Sequence, residues 1–291
     1  MFNTMLEIIK NSFFTGLRFW KIVLLVYFLQ LLTAVPLAMQ VWHVLEASIG
    51  NSLEINKLLS GYDHTVFSDF LKVHGGSITP LIGQLRWVLV IWAIASVFIN
   101  GGLLYTLVKR SPTWLSFWTG GALYFFRFAK IAILFMLFVM TWSGVVLLPF
   151  LARLQINLET MASEKTVLAS FFGLLVIWFL GVIYLYCASI IAKTAIIELD
   201  AKTWQAVRKG FRTSLRYFGQ LIGIFLVFSI LQLVALAIYW LLEGKSGMIT
   251  PALILVFFVL QQLLVFWRIM GRVMCLDGIS IFTQKIGASS A

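Results

Sequence analysis

The chain has 291 residues, of which 61% are hydrophobic and only 11% charged, with a mean hydropathy of +0.99 and a formal net charge of +11. Soluble domains carry about 25% charged residues, so this composition excludes a soluble globular protein and makes lipid the solvent. A pI near 9.8 would suggest nucleic acid for a soluble chain, but a basic excess lying beside apolar segments points to an acidic membrane surface and not to nucleic acid.

In chain order, residues 2 to 19 place Leu6, Ile9 and Phe13 on one helical face, an amphipathic segment that leads into a first apolar run at about 22 to 42. About 20 helical residues cross a hydrocarbon core of about 30 Å, so this run predicts a membrane span. "MFNTMLEIIKNSFFTGLRFWK" has no small-residue cleavage site after its first apolar segment, so the first span is expected to be retained. Pro36 falls toward its outer end, where it predicts a kink or a stop.

Residues 43 to 86 form an expected outside loop carrying short amphipathic helices. Within it, "DHTVFSDFLKVHGG" predicts a helix capped by Asp63 and stopped at Gly75, with Val66, Phe67, Phe70 and Leu71 on its apolar face. His43, His64 and His74 share this loop with Asp63 and Asp69, but no pair has the spacing of a HExxH or i, i+4 metal set. No metal, cofactor or catalytic residue is assigned.

A second span is predicted at about 87 to 108, with Asn100 near its inner end. Residues 113 to 127 then repeat the amphipathic pattern through Trp114, Phe117 and Phe125 before a third span at about 131 to 150, with Pro149 at its outer end. The fourth span runs over about 167 to 192 and ends near Cys187. Cys187 and Cys275 lack a CxxC partner and read as reduced thiols.

The clearest amphipathic segment covers 200 to 219. Trp204, Val207, Phe211, Leu215 and Phe218 step down one face while Arg208, Arg212 and Arg216 step by four along another. An interfacial helix follows, with Asp200 as its expected N-cap. A fifth span at about 221 to 242 carries Gly219 and Gly223 at its head, a GxxxG pattern suited to close helix approach within the chain, and Gln232 at its middle. The sixth, at about 250 to 267, carries Gln261 and Gln262.

All six runs read as helices, because the period-2 alternation of an outer-membrane barrel is absent. Lys and Arg accumulate on the cytoplasmic side of short loops. With both termini inside, sixteen bases and four acids (Glu7, Glu198, Asp200 and Asp277) fall inside, against six bases and seven acids outside, giving +12 and −1. Trp20, Trp42, Trp87, Trp114, Trp118, Trp204, Trp240 and Trp267 fall near span ends, where an indole can bury its ring and keep its N–H wet.

"TGLRFWK" at 15 to 21, "GALYFFR" at 121 to 127 and "TSLRYFG" at 213 to 219 align without gaps, each before an odd-numbered span. The expected fold is therefore an all-α polytopic membrane protein, one membrane domain over 1–291. Its six transmembrane helices form three repeated hairpins (1–110, 111–197 and 198–291), each preceded by a cytoplasmic amphipathic interfacial helix. The basic residues predicted to meet lipid headgroups are Arg18, Lys21, Lys109, Arg110, Arg127, Lys130, Arg208, Lys209, Arg212 and Arg216.

With its strongest copy, "ELDAKTWQAVRKGFRTSLRYFGQLIG", before the fifth span, this pattern resembles the six-span bacterial membrane proteins related to the membrane domain of glycerophosphoryl diester phosphodiesterases. The resemblance covers nearly the whole chain through a degenerate, hydrophobic motif. It implies a fold and a location in the bacterial cytoplasmic membrane more than an activity, since no soluble block exists to hold a phosphodiesterase domain.

Membrane enzymes and ion-coupled transporters place ionisable residues inside their spans, and none lies well inside the six predicted here. The intramembrane polar residues are Asn100, Gln232, Gln261 and Gln262. Mid-span glutamines on consecutive helices are expected to bond across the hairpin; lining a polar path is the alternative. The expected function is a non-enzymatic membrane subunit or scaffold engaging anionic phospholipid and another membrane protein. A facilitator or lipid-handling transporter with a site between repeats is the rival.

Overall fold

In the computed structural model, which describes residues 2–49, 64–157, 164–246 and 251–289, every element is a helix. In chain order these are α1 (Phe2–Arg18), α2 (Trp20–Ile49), α3 (His64–Val108), α4 (Trp114–Asn157), α5 (Glu164–Leu199), α6 (Thr203–Arg216), α7 (Phe218–Ser246) and α8 (Pro251–Ser289). Six of them, α2 to α5, α7 and α8, are long and apolar enough to cross a membrane. The all-α, multi-pass architecture read from the sequence is the one observed.

The chain divides into two compact units, Met1–Leu24 with Val97–Ala291, and Leu25–Ser96. The second unit holds most of α2 and the first part of α3, and its apolar side chains, among them Leu32, Met39, Trp87 and Ile91, are largely exposed. The helix packing, the ion pairs and the groove described below belong to the first unit.

Helices run past the predicted span ends because apolarity marks only the part that lipid covers, while backbone hydrogen bonding continues until a cap interrupts it. Thus α3 is continuous from His64 through Gly75 to Val108, where the sequence suggested a short helix stopped at Gly75. Asp63, the expected cap, lies outside the described residues. Pro36 and Pro149 lie inside α2 and α4, and neither ends its helix.

The amphipathic segments differ from expectation in the second copy. α1 and α6 are separate helices, but 114 to 127 is simply the first part of α4. Phe117, Gly121, Phe128, Ile131 and Phe135 are buried on one face at spacings of three, four and seven, so α4 carries one continuous core-facing stripe with no reason to turn. Its start is fixed by Thr113, whose Oγ1 accepts the Ser116 N–H at 3.2 Å as an N-cap.

Within the first unit α6 lies along α5, α4 packs on α5 and also touches α6, and α1 and α7 pack on α8. α5 also touches α8, joining the second and third hairpins. The core gathers at one end of the helices: Leu103, Leu107, Phe117, Phe128, Ile191, Ile196, Leu221 and Ile279 are fully buried. The other halves, represented by Val145, Leu148, Phe172, Leu236, Trp240 and Leu255, expose their apolar side chains. This is the arrangement of helices whose remaining faces are solvated by lipid, since apolar surface costs nothing there.

Where α3 crosses α4, two Gly-Gly pairs meet. A Cβ on Gly101 would stand a tight 3.3 Å from the Gly120 carbonyl oxygen and the Gly121 Cα, and one on Gly102 would clash with the Phe117 carbonyl oxygen at 2.7 Å, so the glycines allow this close backbone approach. Gly219 and Gly223 do not play the corresponding part at the head of α7: a side chain at Gly219 would meet nothing within 4 Å, and one at Gly223 only the Met5 Cε at 3.5 Å.

Candidate functional site

The buried end of the molecule carries the basic residues, and its charges are joined across helices. α3 ends in a Schellman motif: Ser111 N–H bonds the Thr106 carbonyl at 3.1 Å, Arg110 N–H bonds that of Leu107 at 3.2 Å, and Arg110 itself sits at φ 54°. That left-handed position ordinarily takes glycine. Arginine brings a guanidinium, whose Nη1 donates to Asp277 Oδ1 at 2.7 Å and lies 3.5 Å from Thr15 Oγ1. Asp277 is fully buried on α8.

α5 ends in the same style. Asp200, at φ 48°, follows its last residue and pairs with Arg127 of α4. Asp200 was the expected N-cap of the next helix, but the cap position of α6 belongs to Lys202, which makes no side-chain cap bond. The left-handed turn puts the carboxylate toward α4 instead.

The two remaining acids of this end are engaged as well. Glu7 of α1 binds Lys285 at 3.2 Å, and Glu198 accepts from Gln284 Nε2 at 2.5 Å. All four acids predicted for this side thereby have partners within the chain.

The basic residues are left in excess. Arg18, Lys21, Lys109, Lys130, Arg208, Arg212 and Arg216 are exposed, and Lys209 is half-buried. Lys21 lies over the Trp20 ring at 5.9 Å and Arg216 over that of Tyr217 at 5.5 Å. Two further cations are half-buried among the helices of this end. Lys193 of α5 stands 5.9 Å over the Phe128 ring, and Arg272 of α8 donates to Asn100 Oδ1 at 2.9 Å. Asn100 is therefore a partner of arginine, a role its apolar neighbours in sequence do not reveal.

α6 has three faces where the sequence suggested two. Ala206, Val207, Gly210 and Ser214 are buried on α5. Tyr184 Oη of α5 donates to the Phe211 carbonyl at 3.1 Å, and Ser214 Oγ donates to the Tyr184 carbonyl at 3.3 Å. A Cβ on Gly210 would lie 2.5 Å from the Ala188 carbonyl oxygen, so the two backbones touch there. With its small-residue face held by α5, the helix presents Trp204 (69% exposed) and Leu215 (71% exposed) outward, and its arginines beside them.

Between α4, α5 and α6 runs a groove. Its basic end is a cavity of about 660 Å³ bounded by Trp204, Arg208, Arg212, Phe211 and Leu215. Its apolar end is a cavity of about 620 Å³ bounded by Val145, Ile177, Leu180, Gly181 and Phe218. Phe138, Tyr184, Phe211 and Leu215 line both. The floor is aromatic: Phe211 stacks on Phe135 at 5.5 Å and meets Phe138 edge-on at 5.2 Å. Farther along, Trp142 Nε1 donates to the Trp178 carbonyl at 3.1 Å and Trp178 Nε1 to Ser143 Oγ at 2.9 Å, which ties α4 to α5.

The mid-span glutamines do not meet one another. Gln261 donates to Tyr239 Oη at 2.9 Å, and Gln232 lies against Gly271. Gln262 is half-buried on α8. A cavity of about 370 Å³ beside Tyr239, bounded also by Leu260, Leu264 and Trp267, is lined mainly by hydrocarbon and aromatic rings. Trp267 is half-buried with no partner on its indole N–H, unlike the seven other span-end tryptophans, which are exposed. Both cysteines are buried free thiols, and His43 and His64 are exposed. The side chains of His74 and Asp69 lie outside the described residues.

The two aromatic motifs that lead out of α1 and α6 make one hydrogen-bond pattern. Phe19 N–H bonds the Thr15 carbonyl and the Phe19 carbonyl accepts from Ile22 and Val23; Tyr217 N–H bonds the Thr213 carbonyl and the Tyr217 carbonyl accepts from Gln220 and Leu221. The helix breaks at the fifth letter of the motif in both. "GALYFFR" has no such break, lying within α4.

No protein-family model matches the chain, and no curated protein or solved structure is significantly similar to it.

Proposed function

We propose that this chain is a non-enzymatic integral membrane protein whose basic side rests on acidic phospholipid and which serves as a membrane-embedded subunit or scaffold for another membrane protein. The observation that carries the lipid reading is the charge left on α6. Arg208, Arg212 and Arg216 stand beside exposed Trp204 and Leu215, while the four acids of that side are engaged with Arg127, Arg110, Lys285 and Gln284. Cations next to an exposed indole suit the headgroup boundary, where each basic residue contributes about 1 kcal/mol on an acidic leaflet.

The positive-inside rule makes that side cytoplasmic, with both termini there, and the bacterial cytoplasmic membrane is the location the motif resemblance favours. The shared break at Phe19 and Tyr217 supports an internal repeat of hairpins. Exposed apolar faces along Ile230, Leu233 and Leu236 of α7 and Leu255, Phe258 and Val259 of α8 leave room for a partner helix as well as for lipid.

The lipid-handling alternative is favoured by the groove of α4, α5 and α6, since a cavity of several hundred Å³ suits a small ligand. Native mass spectrometry of the protein extracted from its own membrane in a lipid-preserving particle separates the two. A stoichiometric second protein is the expected result; a lone chain carrying one defined lipid would replace the scaffold reading with lipid handling.

A further inference from the structure

We propose that the groove of α4, α5 and α6 is a specific site for one acidic glycerophospholipid, its phosphate held by Arg208 and Arg212 and one acyl chain laid between α4 and α5. The inference rests on the acidic-lipid reading above and adds a defined site, stoichiometry and orientation to it.

The two ends of the groove differ in chemistry. Arg208 and Arg212 are one turn apart on α6, both exposed, and neither has a carboxylate partner among the described residues. Two guanidinium groups at this spacing can bind the oxygens of one phosphate through charge-assisted hydrogen bonds. At the other end Val145, Ile177 and Leu180 offer only hydrocarbon. From Tyr184 to Ile177 is seven helical residues, a path of about 10 Å along α5 away from the basic side. An occupant must therefore be anionic at the basic end and apolar along the helices.

The polar side chains of the trough are already satisfied. Thr141 Oγ1 donates to the Leu137 carbonyl at 2.9 Å, Trp142 Nε1 to Trp178 and Tyr184 Oη to Phe211. An extended peptide or a sugar would bring donors and acceptors that this wall does not answer, and each left unsatisfied costs about 1–3 kcal/mol. An acyl chain brings none. A pair of cations at one end and hydrocarbon along the other match the anionic head and apolar tail of a phospholipid.

The test uses the full chain in detergent, offered equal amounts of phosphatidylglycerol and phosphatidylcholine with the same acyl chains, and counts retained lipids by native mass spectrometry. One phosphatidylglycerol per chain is expected to be held in preference. Arg212→Gln should lower its retention about tenfold, the loss of one charge-assisted bond, and Arg208→Gln should act likewise. Ile177→Trp and Val145→Trp, at exposed trough positions, should expel the lipid without removing charge, while Lys10→Gln, on α1, should change nothing. Matched thermal unfolding of each variant shows that the fold is kept.

If the wild-type chain prefers phosphatidylglycerol and none of the groove variants alters that preference, the groove assignment is wrong while the acidic-surface reading stands. Equal retention of both lipids by the wild type would overturn both. A co-purifying polypeptide released by the same variants would make the occupant a protein and overturn this inference alone.

Discussion

The Arg110 guanidinium donates to the Asp277 carboxylate at 2.7 Å, tying the end of α3 to the middle of α8 across 167 positions of sequence. Asp277 is fully buried while Arg110 is nearly half-exposed. The pair also holds an arginine in the left-handed conformation, which costs a non-glycine residue about 1–2 kcal/mol. The backbone strain and the salt bridge belong to one residue and act in opposite directions.

That opposition orders three variants. Arg110→Ala removes the partner of a buried carboxylate and keeps the strain, so it is expected to destabilise by roughly 1–3 kcal/mol, less than for a fully buried pair because solvent reaches the guanidinium. Arg110→Gly loses the same bond but relieves the backbone, and should recover about 1 kcal/mol of that loss. Thermal unfolding in one detergent measures both. Equal melting temperatures for the two variants would mean that the left-handed turn carries no strain.

Close backbone approach predicts a second contrast. Gly210→Ala places a methyl 2.5 Å from the Ala188 carbonyl oxygen and should loosen α6 from α5, at a cost of about 1–3 kcal/mol. Gly219→Ala meets open space and gains helix propensity, so it should be neutral or stabilise by up to about 1 kcal/mol. Limited proteolysis between 199 and 203 reads the first effect directly: α6 should be released faster in Gly210→Ala and not in Gly219→Ala.

The Gln261 to Tyr239 bond links α8 to α7 within the two helices' apolar, membrane-length stretches. Gln261→Leu and Tyr239→Phe are each expected to cost about 0.6–2 kcal/mol, and the double variant should cost little more than either alone. Fully additive losses in this double-mutant cycle would show that the two side chains do not depend on each other.

Membrane orientation is testable through cysteine chemistry, because Cys187 and Cys275 are buried and should stay silent. Gly244→Cys, on the side predicted to face outward, should react with a membrane-impermeant maleimide on intact cells. Lys202→Cys is exposed on the basic side and should react only after the membrane is opened. The reverse pattern would invert the assigned topology.

The sequence by itself determined the helical class, the six spans and the side on which charge gathers. Each of these rests on a local requirement: a backbone in lipid must bond within its own segment over about 20 residues, and cations resist translocation one loop at a time. Only the tertiary structure decided which charges remain free. Arg127 and Asp200 read as a lipid contact and a helix cap but pair across 73 positions, and Asn100 reads only as an intramembrane polar residue but accepts from Arg272. It likewise decided that the small face of α6 turns to α5, leaving Trp204 and the arginines outward, and that Gly101 and Gly120 cross where Gly219 does not. Such contacts depend on which helices approach one another, and that is settled by the joint packing of distant faces, which no local pattern of residues contains.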